Sequence, residues 1–169
     1  MNKLVPFLLL IFLLTGFPAL AVEPGTLSPD FSLKTLQGES VSLSAYKGQP
    51  IILKLATTWC PTCKQQSQEL EAIGDYLKQH NIVVVEVFLQ DSDEMIRDYL
   101  KTEHLPNTHV ALLDDGSALK AFSVYLIPRV IFIDRDFKVR RDGSLIPGQE
   151  LVKEWDKILG SGGSKLPGS

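Results

Sequence analysis

The stretch PIILKLATTWCPTCK, residues 50–64, decides how the rest of the chain is read. Its first half is a short apolar run suited to a strand buried in a parallel sheet. Its second half carries Cys60 and Cys63, the only two cysteines in 169 residues. A disulfide across two intervening residues closes almost no loop, so it removes little freedom from the unfolded chain and makes a poor staple. The pair sits where the buried strand ends and a helix begins at Pro61. A helix start presents unpaired N–H groups and a partial positive charge, and both favour a thiolate. Cysteines in such settings have pKa values of roughly 3.5–7.5, against about 8.5 for a free thiol. Helical geometry makes Cys60 the outer sulfur and tucks Cys63 one turn inward. One thiol can then attack a partner's disulfide while the other waits to resolve the mixed disulfide.

Outward from this stretch, strands and helices alternate. Residues 29–46, PDFSLKTLQGESVSLSAY, alternate apolar and polar positions around Gln37-Gly38 and read as a hairpin. After the cysteines, Leu70, Ile73, Tyr76 and Leu77 recur at helical spacing, which predicts one helix from Pro61 to about His80, with Asn81 as its stop. IVVVEVFLQ, residues 82–90, is nearly all apolar and β-branched, as a central parallel strand should be. A helix follows from Asp91 to about Glu103, with acids at its positive end. HVALL (109–113) is a strand, Asp114-Asp115-Gly116 a turn, and residues 117–122 a short helix. Pro128 precedes the strand RVIFID, FKVRRDG closes a hairpin, and residues 149–159 form the last helix. Trp155 belongs to the apolar side of that helix. The order, a hairpin and then β-α-β-α-β-α-β-β-α, predicts a three-layer α/β/α fold.

Hydrophobic residues are 44% of the chain and charged residues 22%, so a packed core is expected and disorder is not. The net charge of −3, with no basic run, argues against nucleic acid as the main partner. Residues 1–21 carry Lys3, an apolar run and then Ala19-x-Ala21, the pattern of a secretory signal peptide cleaved after Ala21. An uncleaved membrane anchor is the alternative, since no charge lies between Lys3 and Glu23. Either reading exports residues 22–160 as one domain into the periplasm or an equivalent oxidising compartment. Residues 161–169 are expected to be a flexible tail.

TTWCPTCK after a buried strand resembles the thioredoxin active site, and the wider pattern resembles exported thiol–disulfide oxidoreductases of the TlpA/ResA type. The opening hairpin, the Lys47-Gly48 turn and the first core strand are similar to that family, as is LLDDGSALKAFSVYLIPRVIFIDRDFKV, residues 112–139. The resemblance covers about Pro29 to Leu159. It implies a thioredoxin-like fold with an N-terminal hairpin extension. It also implies a catalytic and redox-active pair Cys60 and Cys63, and a cis proline at Pro128 facing them. Ile127 would pair with a substrate strand, and Trp59 would flank the nucleophile on the docking surface. No cofactor beyond the cysteine pair is implied. Relatives mostly act as reductases, often on apocytochrome c during cytochrome c maturation, with electrons from a membrane thiol–disulfide donor. This chain departs from the family at Arg129, where threonine is usual. Arg129 is expected either as a cation beside the docking groove or pointing into solvent.

A second departure lies in the core strand. Thioredoxins bury an acid six residues before the first cysteine, and Lys54 stands there; the lysine that usually partners the acid aligns with Glu86. Both interrupt apolar runs, and a buried charge normally needs a mate. A swapped pair, Lys54 with Glu86, is therefore expected beneath the cysteines, with Glu86 as proton acceptor for Cys63, directly or through a water. The bland alternative has Lys54 snorkelling to an edge and Glu86 in solvent. Two other functions share the fold. Thr57-x-x-Cys60 partly matches the nucleophile motif of peroxiredoxins, but Leu53 stands where that motif has proline. Two thiolates could also hold a soft ion such as Cu(I), with His109 as the histidine to consider. His80, His104 and His109 lack ligand spacing, so no metal is assigned, and His80 is expected at a helix C-terminus.

Overall fold

The structure is a computed structural model that describes residues 22–103 and 109–161. The expected signal segment, His104 and the tail beyond Ser161 lie outside the described residues. β1 (Ser32–Thr35) and β2 (Ser40–Ser42) form the predicted hairpin, turning at Gly38 with φ 85°. A 3-10 turn over Leu43–Tyr46 leads to β3 (Ile51–Ala56) and the helix α1 (Pro61–Ala72). Next come α2 (Gly74–Gln79), β4 (Val83–Phe88), α3 (Asp93–Thr102) and β5 (His109–Leu113). The chain continues through α4 (Ser117–Ala121), β6 (Arg129–Ile133), β7 (Val139–Gly143) and α5 (Gly148–Ser161).

The seven strands form one sheet in the order β2-β1-β5-β4-β3-β6-β7. The apolar run of β4 lies at its centre, parallel to both β3 and β5. β6 returns antiparallel to β3 and β7 antiparallel to β6. The N-terminal hairpin extends this sheet, because β1 pairs antiparallel with β5.

Strand alternation sends two sets of side chains into two helical layers. On one face Ile52, Val84, Val130 and Phe132 pack against Leu70 of α1, Leu77 of α2, and Leu151 and Trp155 of α5. Phe88 meets Ile96 and Tyr99 of α3 on the same side. On the other face Leu53, Leu55, Val85, Val87 and Ile131 pack against Leu43, Ala118 of α4 and Phe122 at the C-cap of that helix. This is the three-layer arrangement that the alternation of elements predicts.

The single helix expected from Pro61 to His80 is two. It breaks at Ile73 (φ −108°, ψ 17°), immediately before Gly74, the weakest helix former in the run. The break lies where α5 begins. The Gly148 N–H donates to Glu69 Oε2 at 2.7 Å, and a Cβ at Gly148 would stand 3.1 Å from the Ile73 side chain. Asn81 does end α2, with φ 53°, and His80 caps it with Nδ1 3.0 Å from the Tyr76 carbonyl. α5 runs through Ser161, so the first residue of the expected tail is helical.

Trp155 is buried and stacks on Phe132, with centroids 5.1 Å apart and planes 7° from parallel. Its indole N–H has no acceptor among the described residues, so its contribution is packing alone. Trp155→Phe should therefore be mild, whereas Trp155→Ala should lower unfolding free energy by about 3–5 kcal/mol, as read by urea denaturation.

Candidate active site

The cysteines stand at the junction of β3 and α1, where the sequence places them. Cys60 is the N-cap of α1 in extended conformation, Pro61 opens the first turn, and the Cys63 N–H donates to Cys60 Sγ at 3.2 Å. The two sulfurs form a disulfide, with Cα atoms 5.2 Å apart. The Thr62 hydroxyl lies 3.3 Å from Cys60 Sγ. Cys60 is 7% exposed and Cys63 1%, which is the outer and inner order expected from helical geometry. A helix N–H aimed at Cys60 Sγ would support negative charge there after reduction. The loop leading in is tied down by Asp91, whose carboxylate accepts from the Thr58 N–H at 2.9 Å and the Thr58 hydroxyl at 2.8 Å.

The Ile127–Pro128 peptide bond is cis, as the resemblance implied. Ile127 packs against Ala56, Cys60 and Cys63, which brings the β6 entrance onto the disulfide. Around this seam lies an apolar surface only partly expected from the sequence. Trp59 is 61% exposed, and Tyr125 and Leu126 are 90% and 79% exposed. Trp59, Tyr125 and Ile127 line a cavity of about 170 Å³ on one side of the seam. Tyr125, Leu126 and Pro128 line one of about 610 Å³ on the other. Tyr125 and Leu126 were legible only as apolar residues in a short loop; nothing in their spacing marks them as exposed.

Arg129 does not point into solvent; it lines the larger of these cavities, beside the groove, with its charge paired. Its Nε donates to both Asp142 oxygens at 3.0 and 3.1 Å, its Nη2 donates to Asp142 at 2.5 Å, and its Nη1 donates to the Phe122 carbonyl. Asp142 on β7 is the neighbour that the β6–β7 hairpin supplies. Arg129 thus neutralises Asp142 and satisfies a carbonyl at the end of α4, bracing the segment that carries Tyr125 and Leu126.

Beneath the cysteines the swapped pair is present. Lys54 and Glu86 are direct partners in the β3–β4 register and point to the same face, with Nζ donating to Oε1 at 2.6 Å. Both are buried, so neither snorkelling nor solvent exposure applies. Lys54 also donates to Ser67 Oγ at 2.5 Å. Ser67 lies one turn beyond Cys63, with its hydroxyl 3.4 Å from the Cys63 carbonyl and 2.8 Å from the Tyr99 hydroxyl. The other Glu86 oxygen lies 2.7 Å from His109 Nε2. Sequence reasoning missed Ser67 and Tyr99, and weighed His109 only as a metal ligand and not as a partner of Glu86. The available signals were the four-residue step from Cys63 to Ser67 and the alternation that puts His109 on the same face as Glu86.

Direct proton transfer from Cys63 to Glu86 meets two obstacles. Among the described residues the hydrogen bonds of Glu86 go to Lys54 and His109, one at each oxygen, and neither goes to a cysteine. Burial raises its pKa, but the Lys54 charge and the His109 contact outweigh burial and hold it down at about 2. So low a value makes a poor base near neutral pH. Tyr99 is pushed up, first by burial and then by the Glu86 charge, so its hydroxyl stays protonated beside Ser67.

A carboxyl lowered on folding contributes stability above its unfolded value, and the contribution is lost as pH falls through the folded one. For Glu86 that window runs from the ordinary 4.5 down to about 2. Glu86→Gln should destabilise the fold at pH 7 by about 3–5 kcal/mol, because it strands Lys54 in the core. The gap to wild type should narrow as pH drops through that window, as read by denaturation at pH 7 and pH 3. An unchanged gap would mean that the pair does not hold the carboxylate ionised.

Comparison with known proteins agrees with this geometry. A model of the family described as Redoxin matches residues 23–155. The chain is 28% identical over 156 residues to the sporulation thiol-disulfide oxidoreductase A of Bacillus subtilis (strain 168), covering 88% of this chain and 93% of that protein. It is 23% identical over 138 residues to the thiol-disulfide oxidoreductase ResA of Bacillus thuringiensis subsp. konkukian, covering 82% of this chain and 78% of that one. Among solved structures, MTB dsbF in mixed oxidized and reduced forms superposes with a TM-score of 0.64 at 26% identity, covering 76% of this chain and 94% of that one. With its helix-capping cysteine pair and a thioredoxin-like sheet behind it, the chain belongs to the Redoxin family, among the thiol–disulfide oxidoreductases similar to ResA.

Proposed function

We propose that this chain exchanges its Cys60–Cys63 pair with cysteines of exported partner proteins, working in the direction of a reductase. The observation that carries the reading is a solvent-reachable Cys60 capping α1 beside the Ile127–Pro128 seam, with Cys63 behind it. In the reduced protein Cys60 is the nucleophile. Its thiolate attacks one sulfur of a partner disulfide, forms a mixed disulfide and releases the partner's second sulfur as a thiolate. Cys63 then loses its proton and attacks Cys60 Sγ. The mixed bond breaks, the partner's first sulfur leaves, and the Cys60–Cys63 disulfide closes. Two electrons pass to the partner, and its two sulfurs take up two protons. Glu86 does not serve as the base in this scheme; it neutralises Lys54.

That neutralisation supports the reductase direction. An unpaired cation below the cysteines would stabilise thiolates and make the pair more oxidising, and Glu86 cancels most of that field. Trp59, Tyr125, Leu126 and Pro128 offer the partner an apolar landing surface, and Ile127 supplies backbone beside the disulfide. Apocytochrome c as partner and a membrane thiol–disulfide donor as electron source rest on the resemblance to the TlpA/ResA type. A periplasmic location with residues 1–21 as a signal rests on Lys3, the apolar run after it and Ala19-x-Ala21. No helix among the described residues is long and apolar enough to cross a membrane.

The other two readings gain no support. The Thr57 hydroxyl has no hydrogen-bond partner among the described residues, and the hydroxyl beside Cys60 Sγ is that of Thr62. His109, the histidine considered for a soft metal, is bound to Glu86.

Alkylation of the reduced protein near neutral pH should label Cys60 first. Cys63→Ser should accumulate mixed disulfides with partner proteins, and Cys60→Ser should trap far fewer. Preferential labelling of Cys63 would reverse the assignment. A reduction potential near that of thioredoxin, about −270 mV, fits a reductase, and one near about −120 mV would reverse the direction. Mass spectrometry of the protein from its host should find Val22 at the N-terminus; full-length chain confined to membranes would show the anchor instead.

A further inference from the structure

The contacts beneath the disulfide do not end at Glu86. An ionised carboxylate has no hydrogen to donate, so His109 Nε2 carries the hydrogen in the 2.7 Å contact with Oε2. Nδ1 is then the atom that gains or loses a proton, and it makes no hydrogen bond among the described residues. The His109 side chain is 8% exposed, while Lys54 and Glu86 are sealed off. Over it lies a surface cavity of about 300 Å³, lined also by Thr35, Leu36, Gln37 and Leu100. His109 is therefore the member of the buried cluster that exchanges protons with bulk water. Inward, the contacts run through Glu86, Lys54 and Ser67 to the carbonyl of Cys63.

We propose that His109 is a positioning residue for the thiol chemistry: by gaining or losing a proton at Nδ1 it changes the net charge held beneath Cys60 and Cys63, and so couples solvent pH to thiolate formation. The proposal rests on the thiol–disulfide reading of the cysteine pair. With His109 neutral, the charges of Lys54 and Glu86 cancel. With His109 protonated, the three side chains carry one net positive charge in a buried layer under α1. Positive charge there favours a thiolate over a thiol. Reduction adds two electrons and breaks the S–S bond. Where one sulfur stays a thiolate, the second proton of the dithiol is not bound at sulfur, and part of that uptake moves to Nδ1. By reciprocity, a thiolate in the reduced protein holds the proton on His109 more firmly than the disulfide does.

Among the described residues, the other charged and titratable groups facing this cluster are few; at the cavity rim Arg97 donates to the Leu36 carbonyl and pairs with Asp93. α1 contributes Lys64, which pairs with Glu103 beyond α3 at 3.0 Å. α3 contributes Tyr99, which stays protonated. Asp91, before α3, is bound to Thr58. β1 and its turn present only the uncharged Thr35, Leu36 and Gln37 to His109.

The test is an NMR titration of the His109 imidazole in the full chain, once as the disulfide and once as the dithiol. The midpoint should be higher in the dithiol form by several tenths of a unit or more, while His80, capped on Tyr76, should move little. In His109→Gln the amide can still donate to Glu86 without a titrating proton. The thiolate absorbance of that variant should lose the inflection that coincides with the His109 titration, and its thiolate fraction near pH 6 should fall on the order of two- to threefold. Equal His109 midpoints in the two redox forms would overturn the proposal, and that comparison needs no variant. Mixed-disulfide trapping by the wild type separates the outcomes. Trapping without a redox-linked midpoint removes only the role of His109, and absence of trapping removes the exchange reading itself.

Discussion

A charge in the middle of a sheet constrains everything around it. Lys54 sits in β3 with strands on both sides and helices above, where an isolated ammonium would be prohibitively costly. Its only direct charged partner among the described residues is Glu86, and the bond between them requires β3 and β4 to be adjacent and in one particular register. A one-residue slip would turn Glu86 to the opposite face and leave two unpaired buried ions. Ser67 adds a third point of attachment, which fixes α1 over the strands. The polar layer thus specifies the junction on which the cysteines stand, whatever its net contribution to stability.

The same layer separates structural work from chemical work. The disulfide is held by backbone: an N-cap, a proline at the first helical position and a packed isoleucine from the β6 entrance. The ionic cluster lies one layer down and touches the cysteines only through the Ser67–Cys63 contact and its field. A carboxylate tied at both oxygens is placed to act by charge, and in the proposed exchange Glu86 and Lys54 contribute electrostatics and not proton transfer. Arg129 shows the same economy at the rim, where it stands beside the docking groove with its charge paired to Asp142 and its guanidinium donating to a carbonyl at the end of α4. The exposed rim that remains is apolar, consisting of Trp59, Tyr125 and Leu126 around Pro128.

What the sequence determined by itself was whatever is carried by local pattern. The period of the apolar residues set the order of strands and helices. The strand-to-helix position of Cys60-x-x-Cys63 set the thiol order, and the charges interrupting two apolar strands demanded a buried mate. Resemblance added the cis proline. Tertiary structure decided the rest, because the deciding partners are distant in sequence. The break at Ile73 answers to the start of α5, and the fate of Arg129 answers to β7. The full set of groups around Glu86 draws on α1, α3 and β5 at once. Local spacing records which face a side chain takes on its own element, but burial and protonation depend on which other elements close over that face, and only the folded sheet brings those together.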